Sequence, residues 1–423
     1  MIEKVNLGLI GAGNRGQGIF GQFAVDMPHR AQFSMVVEPN QPKREQFAQK
    51  HGIPAERCFA DLQEMAKADL SGLDGVVIAT IEDQRIEPLK IAMAKNWHIL
   101  VEKPLCTNKE ELIEVYDMCK DYEKILIVSH QMRLTPIYKT IKALIDSGRY
   151  GTITCLQHSE NLCYSHMAHS FVRGYFNNSR LTPMLLAKSC HDMDMLTHLI
   201  AQKINKVASF GSLNHFKREN CPPGAPQYCL EGCPHSKECP YDVMKIYFEA
   251  DTDPAYIRQL GVVRDKDHLR ELMLKHQFGK CVYQSDNDVV DNQVVIAEHA
   301  DGTTSSFTMC GTNGTERRMM KISMTNGEIE FSGGEPKIKV WSFEPNYYEE
   351  ITVQIKGTHG GGDRAIMENF CDAIVSDDHS ILLTPIKDSL EGHLLVFAAE
   401  ESRKTSTVVE LRKFEEEIRN SLK

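Results

Sequence analysis

The fold of this chain is decided by residues 5–16, which read VNLGLIGAGNRG. Val5–Ile10 is a mostly apolar run typical of a buried strand. Gly11, Gly13 and Gly16 follow at once in the spacing G-x-G-x-x-G, and a helical pattern comes next. In that context the first glycine permits a tight turn, the second lets the backbone approach a pyrophosphate, and the third allows the helix to pack on the strand. The stretch therefore predicts a dinucleotide-binding turn rather than an ordinary one.

A carboxylate stands where the next expected strand ends. Glu38 lies 22 residues beyond Gly16, close to the distance of about 20 residues at which an acidic side chain binds the ribose 2′-hydroxyl. A carboxylate repels a 2′-phosphate, and no Arg directly follows Glu38, so the sequence favours NAD over NADP. Arg44 lies nearby and argues the other way.

Short apolar runs alternate with amphipathic helical stretches from residue 1 to about residue 130. This alternation predicts an α/β domain, a Rossmann-type doubly wound parallel sheet with helices on both faces. The expected strands are Val5–Ile10, Phe33–Val37, Gly75–Thr80, His98–Val101 and Ile125–Ser129, and the expected helices are Asn14–Val25, Pro42–Lys50, Arg85–Ala94 and Lys109–Lys120. We place a domain boundary near residue 130.

The remainder, residues 131–423, has the pattern of an α+β domain. Alternating runs joined by tight turns predict an open, mostly antiparallel sheet with helices on one face. The expected strands are Ile153–Glu160, Gln293–His299, Thr303–Met309, Met319–Met324 and Ile338–Trp341, and the expected helices are Pro136–Ser147, Met184–Ile200, Asp363–Val375 and Ile386–Ser402. A stretch rich in Pro, Gly and Cys at about 221–241 interrupts this domain as an insertion.

The composition excludes several classes of function. The chain has 48 basic and 58 acidic residues, a formal charge of −10, and its basic residues are scattered, so nucleic acid is not an expected partner. No apolar run approaches the roughly 18 to 20 residues of a membrane span, and the N-terminus lacks a signal-peptide pattern. Thirteen cysteines, an odd number, fit reduced thiols better than a disulfide framework. We therefore expect a cytoplasmic protein without a membrane segment.

Several motifs together resemble those of the Gfo/Idh/MocA family, the group of glucose–fructose oxidoreductase and inositol dehydrogenase. They are the glycine turn with the strand ending at Glu38, the tripeptide Glu102-Lys103-Pro104, and residues 130–136 (HQMRLTP), 188–194 (KSCHDMD) and 360–363 (GGGD). The resemblance covers nearly the whole chain. It implies a Rossmann domain, a second domain built on an open sheet, and a substrate held between that sheet and the nicotinamide. The implied activity is NAD-dependent oxidoreduction of a hydroxyl group on a sugar, glycoside or cyclitol.

Lys103 and His191 are the expected catalytic pair. Lys103 is a cation at the carboxyl end of a parallel strand, and it can hydrogen-bond the hydroxyl to be oxidised. His191 titrates near neutral pH and can take the hydroxyl proton. Helical spacing places Lys188, His191 and Asp194 on one face. Many family members carry an Asp where this chain has Ala187, so either Lys188 supplies the missing polar contact, as a third catalytic residue, or the chemistry differs.

The other expected contacts form two groups. The cofactor is expected to contact Gly11, Gly13, Asn14, Arg15, Gly16, Glu38, Thr80, Glu102, Lys103 and His130. The substrate is expected to contact Arg133, Glu160, Asn161, Lys188 and His191, together with Tyr164, His166 and Arg173 of a loop rich in aromatic and His residues.

Four cysteines, Cys221, Cys229, Cys233 and Cys239, fall within nineteen residues. This density predicts one structural Zn²⁺ held by four thiolates, although the outer spacings are not those of the usual zinc ribbon. The alternatives are an iron–sulfur cluster, a site in which His235 replaces one thiolate, or unligated thiols.

Two other functions fit the same residues. A hydrolase could oxidise a glycoside transiently, eliminate the leaving group and recycle NAD, in which case NADH would not accumulate. A regulator on the same fold could sense the nucleotide without catalysis, but the intact Lys103 and His191 argue against it. The exposed face of the second sheet predicts a homo-oligomer, either a dimer or a tetramer.

Overall fold

The first domain is built on a six-stranded sheet. The structure is a computed structural model that describes residues 4–249, 256–257, 259–260 and 263–422. The strands of this sheet are β1 (Val5–Ile10), β2 (Ala31–Val37), β3 (Cys58–Phe59), β4 (Gly75–Ile78), β5 (His98–Val101) and β6 (Leu126–Val128). They are all parallel and lie in the order β3-β2-β1-β4-β5-β6.

Both faces of this sheet are buried. Every residue of β4 and β5 is buried, and successive residues of β2 enter different apolar clusters, Met35 and Val37 one and Val36 the other. Continuous apolar strands of this kind require cover on both sides. The helices of this domain are a π-helical turn (Gly16–Gly21), α1 (Gln22–Asp26), α2 (Gln41–His51), α3 (Leu62–Lys67), α4 (Ile86–Ala94) and α5 (Lys109–Cys119). The predicted doubly wound parallel sheet is confirmed.

The second domain is built on a nine-stranded sheet. Its strands are β7 (Ile153–Cys163), β8 (Ile204–Ser212), β9 (Asn292–His299), β10 (Thr304–Asn313), β11 (Arg317–Met324), β12 (Gly327–Ser332), β13 (Lys337–Ser342), β14 (Tyr347–Thr352) and β15 (Val409–Glu410). Their order is β14-β13-β12-β11-β7-β10-β9-β8-β15, and every neighbouring pair is antiparallel except β7 and β10. The predicted open, mostly antiparallel sheet is confirmed.

Helices cover one face of the second sheet. Positions along β9 alternate between buried and less buried, as expected for a strand with one face on a core. The remaining helices are α6 (Pro136–Asp146), α7 (Tyr164–His166), α8 (Met184–Ala187), α9 (Cys190–Ile200), α10 (Val243–Tyr247), α11 (Lys266–Met273), α12 (Gly362–Ser376), α13 (Ile386–Thr405) and α14 (Leu411–Ser421). The predicted helix Met184–Ile200 is therefore wrong as a single helix, because the chain leaves helical geometry between α8 and α9 at Ser189.

Helix α12 returns to the first domain. Its residues Ile366 and Phe370 share an apolar cluster with Leu7 and Phe33 of the first sheet. The expected boundary near residue 130 therefore separates the two sheets but not the two cores. None of the helices in the described ranges combines the length and the hydropathy of a membrane span.

Candidate active site

The glycine turn lies at the carboxyl end of β1, between β2 and β4, where ligands of open α/β sheets bind. Gly11 has a φ of +95°, and a Cβ on Gly16 would lie 2.1 Å from the carbonyl oxygen of Gly11. A Cβ on Gly13 would meet no atom within 4 Å, so the backbone there borders open space. This turn leaves room for a pyrophosphate to approach the backbone, and its residues fit a dinucleotide.

Glu38 follows β2 and faces the glycine turn. Its Oε2 accepts a hydrogen bond from the backbone N–H of Ala12 at 2.8 Å, and its Oε1 accepts one from the backbone N–H of Asn40 at 2.9 Å. These bonds hold the carboxylate beside the turn, as the predicted ribose contact requires. Arg44 donates to the carbonyl oxygen of Glu38, so its guanidinium is engaged by backbone.

Two carboxylates from distant segments bind Arg15. Its Nε donates to Oε1 of Glu102 at 2.7 Å, and its Nη1 donates to Oδ1 of Asp363 at 2.7 Å. Both carboxylates are buried, and a buried negative charge is unfavourable unless it is paired with a positive one. The guanidinium of Arg15 provides that positive charge. Asp363, at the start of α12, is missing from the predicted site residues although it ends the GGGD motif that drew attention to this segment.

Lys103 is held between the two domains. Its backbone N–H donates to Oε2 of Glu102 at 3.0 Å, and its Nζ donates to the carbonyl oxygen of Ala187 at 3.2 Å. Two residues later, the backbone N–H of Leu105 donates to Nε2 of His393 on α13 at 2.9 Å. The segment after β5 is thus fixed on both sides, with the ammonium group directed at the C-terminus of α8.

His191 lies in the first turn of α9 and is 7% exposed. Its Nδ1 lies 3.4 Å from Nδ1 of His130, and the two rings meet edge to face. His130 is 0% exposed. The His130 ring is therefore enclosed beside His191 in this structure, and its predicted contact with the cofactor stays a prediction.

Lys188 lies at the break between α8 and α9 and is bound by two carboxylates. Its Nζ is 2.9 Å from Oε1 of Glu316 and 3.4 Å from Oε1 of Glu160. Glu316 also accepts a hydrogen bond from Nδ1 of His166 at 2.7 Å. Burial would raise the pKa of Glu316, but the hydrogen bond from His166 and the charge of Lys188 hold that pKa well below its usual range. Glu316 thus joins two predicted substrate residues, Lys188 and His166, and Lys188 links them to a third, Glu160.

A second ion-pair network lies beside this cluster. Nε and Nη2 of Arg318 donate to Asp192 at 2.7 and 3.1 Å, and Nη2 lies 2.7 Å from Oε2 of Glu160. Nε2 of His158 lies 2.7 Å from Oδ1 of Asp192. Burial would raise the pKa of Asp192, but Arg318 and His158 hold that pKa well below its usual range. Glu316 and Arg318 were not predicted, and the charged run at 316–318, where β11 begins, is the signal that could have identified them.

Arg133 and Arg173, two of the predicted substrate contacts, are buried, and the protein itself engages their donors. Their contacts with a substrate stay predictions. Nε and Nη2 of Arg133 donate to the two carboxylate oxygens of Asp194 at 2.7 and 2.6 Å. Nε and Nη2 of Arg173 donate to the carbonyl oxygens of Lys280 and Tyr241 at 2.7 and 2.8 Å. Of the predicted shared helix face, His191 and Asp194 both approach His130, whereas Lys188 lies outside α9.

The remaining predicted residues keep some exposure. Asn161 and Tyr164 are half-buried at the end of β7, Thr80 is half-buried after β4, and Asn14 is exposed in the glycine turn. Their contacts with cofactor or substrate stay predictions.

The clustered cysteines are free thiols. Cys229, Cys233 and Cys239 line a small pocket together with Cys281 and His235. Within the described ranges, however, no group of three or more His, Cys, Asp or Glu side chains is arranged to hold a metal ion. The predicted zinc site at Cys221, Cys229, Cys233 and Cys239 is therefore not supported, because clustering along the chain does not bring these side chains to one centre.

The amino-acid sequence of this chain is similar to those of known oxidoreductases. Residues 5–130 match the oxidoreductase family with an NAD-binding Rossmann fold. The chain is 22% identical over 350 residues to the protein YteT of Bacillus subtilis, covering 77% of this chain and 78% of that protein. It is 31% identical over 111 residues to the scyllo-inositol 2-dehydrogenase (NADP(+)) IolU of the same bacterium, covering 26% of this chain and 33% of that protein.

A solved structure shares the overall fold. Levoglucosan dehydrogenase in complex with NADH and levoglucosan superposes with a TM-score of 0.70 at 18% identity, covering 96% of this chain and 99% of that chain. At this level of identity the similarity shows the shared two-domain fold alone.

Proposed function

We propose that the chain is an NAD-dependent dehydrogenase of the Gfo/Idh/MocA family of oxidoreductases, whose NAD-binding Rossmann region matches residues 5–130. It transfers a hydride between the nicotinamide and a hydroxyl-bearing carbon of a sugar, glycoside or cyclitol. The observation that carries the proposal is the position of Lys103, which follows β5 of the nucleotide-binding sheet and contacts Ala187 of the second domain. A small molecule bound there would lie between the glycine turn of the first domain and the first turn of α9, which carries His191, in the second domain.

The glycine turn and Glu38 would hold the cofactor. The open backbone at Gly13 would take the pyrophosphate, and the Glu38 carboxylate would accept hydrogen bonds from the ribose. When bound, NAD⁺ supplies the acceptor for the hydride. The engagement of Arg44 by backbone supports NAD over NADP, because a 2′-phosphate would need a cation where Glu38 stands.

Lys103 and His191 would divide the chemistry between them. The Lys103 ammonium would donate a hydrogen bond to the hydroxyl oxygen and stabilise the negative charge that develops on it. The imidazole of His191 would take the hydroxyl proton, as general-base catalysis requires. The two residues reach the site from different domains, so the arrangement is complete only when the domains pack as they do here.

The substrate would face Lys188, Glu316 and His166, with the buried Glu160 paired to Lys188 behind them. Carboxylates accept hydrogen bonds from hydroxyl groups, and ammonium or imidazole groups donate to them, so alternating charges suit neighbouring hydroxyls on a ring. The cations Lys188 and Arg318 are both already paired with carboxylates, which supports an uncharged polyhydroxylated ligand over an acidic one.

The exposed face of the second sheet supports a homo-oligomer, a dimer or a tetramer. Phe210 on β8 is 68% exposed and Ile296 on β9 is 50% exposed, and Val294 on β9 and Met319 on β11 are also exposed on this sheet. Exposed apolar side chains grouped on one sheet face are typical of a protein interface. We place the protein in the cytoplasm, as its free thiols are compatible with a reducing compartment.

The test is an assay of NADH formation with NAD⁺ and a panel of neutral sugars, glycosides and cyclitols. The proposal expects stoichiometric NADH with at least one of them, and loss of that activity in Lys103→Met and His191→Ala. Cleavage of a glycoside without accumulation of NADH would instead indicate the redox-assisted hydrolase. Absence of any NAD binding by calorimetry would contradict both.

A further inference from the structure

We propose that His130 is a positioning residue that fixes the tautomer of His191, so that Nε2 of His191 is the nitrogen that takes the substrate proton. This inference rests on the proposed function, in which His191 is the base. It concerns a residue that the sequence had suggested for cofactor contact and that the structure places behind His191.

The two imidazoles contact each other directly. Nδ1 of His130 and Nδ1 of His191 lie 3.4 Å apart, with ring centroids 5.5 Å apart and ring planes at 79°. A hydrogen bond between two neutral imidazole nitrogens needs one proton, so one ring donates and the other accepts. The direction of this bond determines which nitrogen of His191 carries its lone pair.

The surroundings of Nε2 of His130 determine the direction of this hydrogen bond. Its Nε2 lies 3.8 Å from Oδ1 of Asp194, whose carboxylate is held by Arg133 in a buried bidentate pair. A proton on Nε2 is attracted to this carboxylate, whereas a lone pair there would be repelled by it. His130 therefore carries its proton on Nε2 and accepts at Nδ1. His191 must then donate from Nδ1, which leaves the lone pair on Nε2.

His130 also stays neutral while it accepts the hydrogen bond from His191. Burial lowers its pKa to about 3; the Asp194 carboxylate works against this shift, and the nearby charges of His393, Arg133 and Lys103 reinforce it. His393 packs edge to face on His130 at 5.7 Å, with its Nδ1 donating to the carbonyl oxygen of Ser389 and its Nε2 accepting from Leu105. His130 is thus a neutral acceptor for His191 at neutral pH.

The proton and electron balance of the step is simple. The substrate O–H bond breaks as an N–H bond forms at Nε2 of His191, and the carbon-bound hydrogen leaves as hydride to NAD⁺, giving a carbonyl product and NADH. His191 is then an imidazolium that keeps its Nδ1–H bond to His130. Release of the proton from Nε2 to solvent restores the starting tautomer.

The first experiment reads the tautomer without any substrate. The native protein, labelled with ¹⁵N at histidine and saturated with NAD⁺, is measured by ¹H–¹⁵N correlation NMR, and the His191 signals are assigned by their loss in His191→Gln. The inference expects Nδ1 of neutral His191 to be protonated and Nε2 to be unprotonated. Protonation of Nε2 in the native protein would overturn it, whatever the activity.

The second experiment compares His130→Leu, which removes the acceptor, with His130→Asn, whose amide oxygen can accept near the position of Nδ1. The inference expects kcat to fall roughly 10-fold or more in His130→Leu, with NAD affinity unchanged, and to recover largely in His130→Asn. Equal kcat in the native protein and His130→Leu would overturn it. Full activity of His191→Ala would show instead that the proposed base is wrong, even if the NMR tautomer is as expected.

Discussion

Arg15 and Asp363 lie 348 positions apart in the chain, yet their side chains are joined by a hydrogen bond of 2.7 Å. Arg15 belongs to the glycine turn, and Asp363 belongs to the first turn of α12, which packs on the first sheet. Glu102, just after β5, accepts from the same guanidinium. The turn that would hold the cofactor is therefore tied to the segment that leads to Lys103 and to a helix from the end of the chain.

This connection predicts the behaviour of Asp363→Asn. The substitution removes one buried carboxylate from Arg15 while Glu102 remains, so we expect a loss of about 1 to 2 kcal/mol in the free energy of unfolding and weaker NAD binding. Denaturant unfolding and calorimetric titration measure the two effects. Glu368→Gln on the exposed side of α12 is the matched control. NAD affinity that falls equally in both variants would show that Asp363 has no particular link to the turn.

Lys103→Met is expected to abolish oxidation of the substrate and to leave the fold and NAD binding intact. Lys103 contacts a backbone carbonyl of the second domain rather than a buried carboxylate, so its loss leaves no buried counter-charge unpaired. Activity, thermal unfolding and NAD affinity are measured side by side with Lys387→Met, an exposed lysine on α13. Retention of more than a small fraction of kcat would remove Lys103 from the chemistry.

Much of the fold could be predicted from the sequence because local signals were strong there. The strands of the first sheet are continuous apolar runs with clear turns, and β1 and β5 have the predicted boundaries. Strands β8, β12 and β14 were missed, since polar and charged residues on the exposed face weaken their apolar alternation. Strands β3 and β15 were missed because each has only two residues. The helix predicted over Met184–Ile200 failed at Ser189 because periodicity does not report a local break.

The site was harder to predict because its charges are paired across long distances in the chain. Arg133 resembled a ligand-binding cation in sequence, but its partner Asp194 is 61 residues away and encloses it. Glu316 and Arg318 belong to no motif, and the pairing of β11 with β7 brings Arg318 to Glu160. The cysteines show the reverse case, since closeness in sequence did not produce a common centre in space.

Glu38→Gln is expected to narrow the preference for NAD over NADP. The amide keeps the shape of the side chain and one acceptor, but it removes the negative charge that would repel a 2′-phosphate. Titration of both cofactors into the native protein and the variant gives the two affinity ratios. Glu45→Gln, an exposed position on α2, is the control for a general change of charge near the site. An unchanged ratio would assign the preference to other residues.

Arg318→Met is expected to destabilise the protein strongly. Asp192 and Glu160 are both 0% exposed, and the variant would leave them without their shared guanidinium. Removing one partner of a buried ion pair costs about 3 to 5 kcal/mol, and here His158 and Lys188 offset part of it. Arg317→Met, at the neighbouring exposed position, is the control and should change the free energy of unfolding by less than about 0.5 kcal/mol.

The pH dependence of the destabilisation in Arg318→Met tests whether Arg318 stabilises the protein by its charge. In the native protein the pKa of Asp192 is lowered, so the contribution of this carboxylate to stability is fully present above its unfolded value of about 3.9 and is lost as the pH falls below it. In Arg318→Met, Asp192 stays buried without the guanidinium, which raises its pKa. Protonation of Asp192 at low pH therefore reduces the destabilisation of the variant. The difference in unfolding free energy between the two proteins should therefore shrink as the pH falls from about 7 to about 4. A difference that is constant over this range, measured by urea unfolding at each pH, would show that Arg318 stabilises by packing rather than by charge.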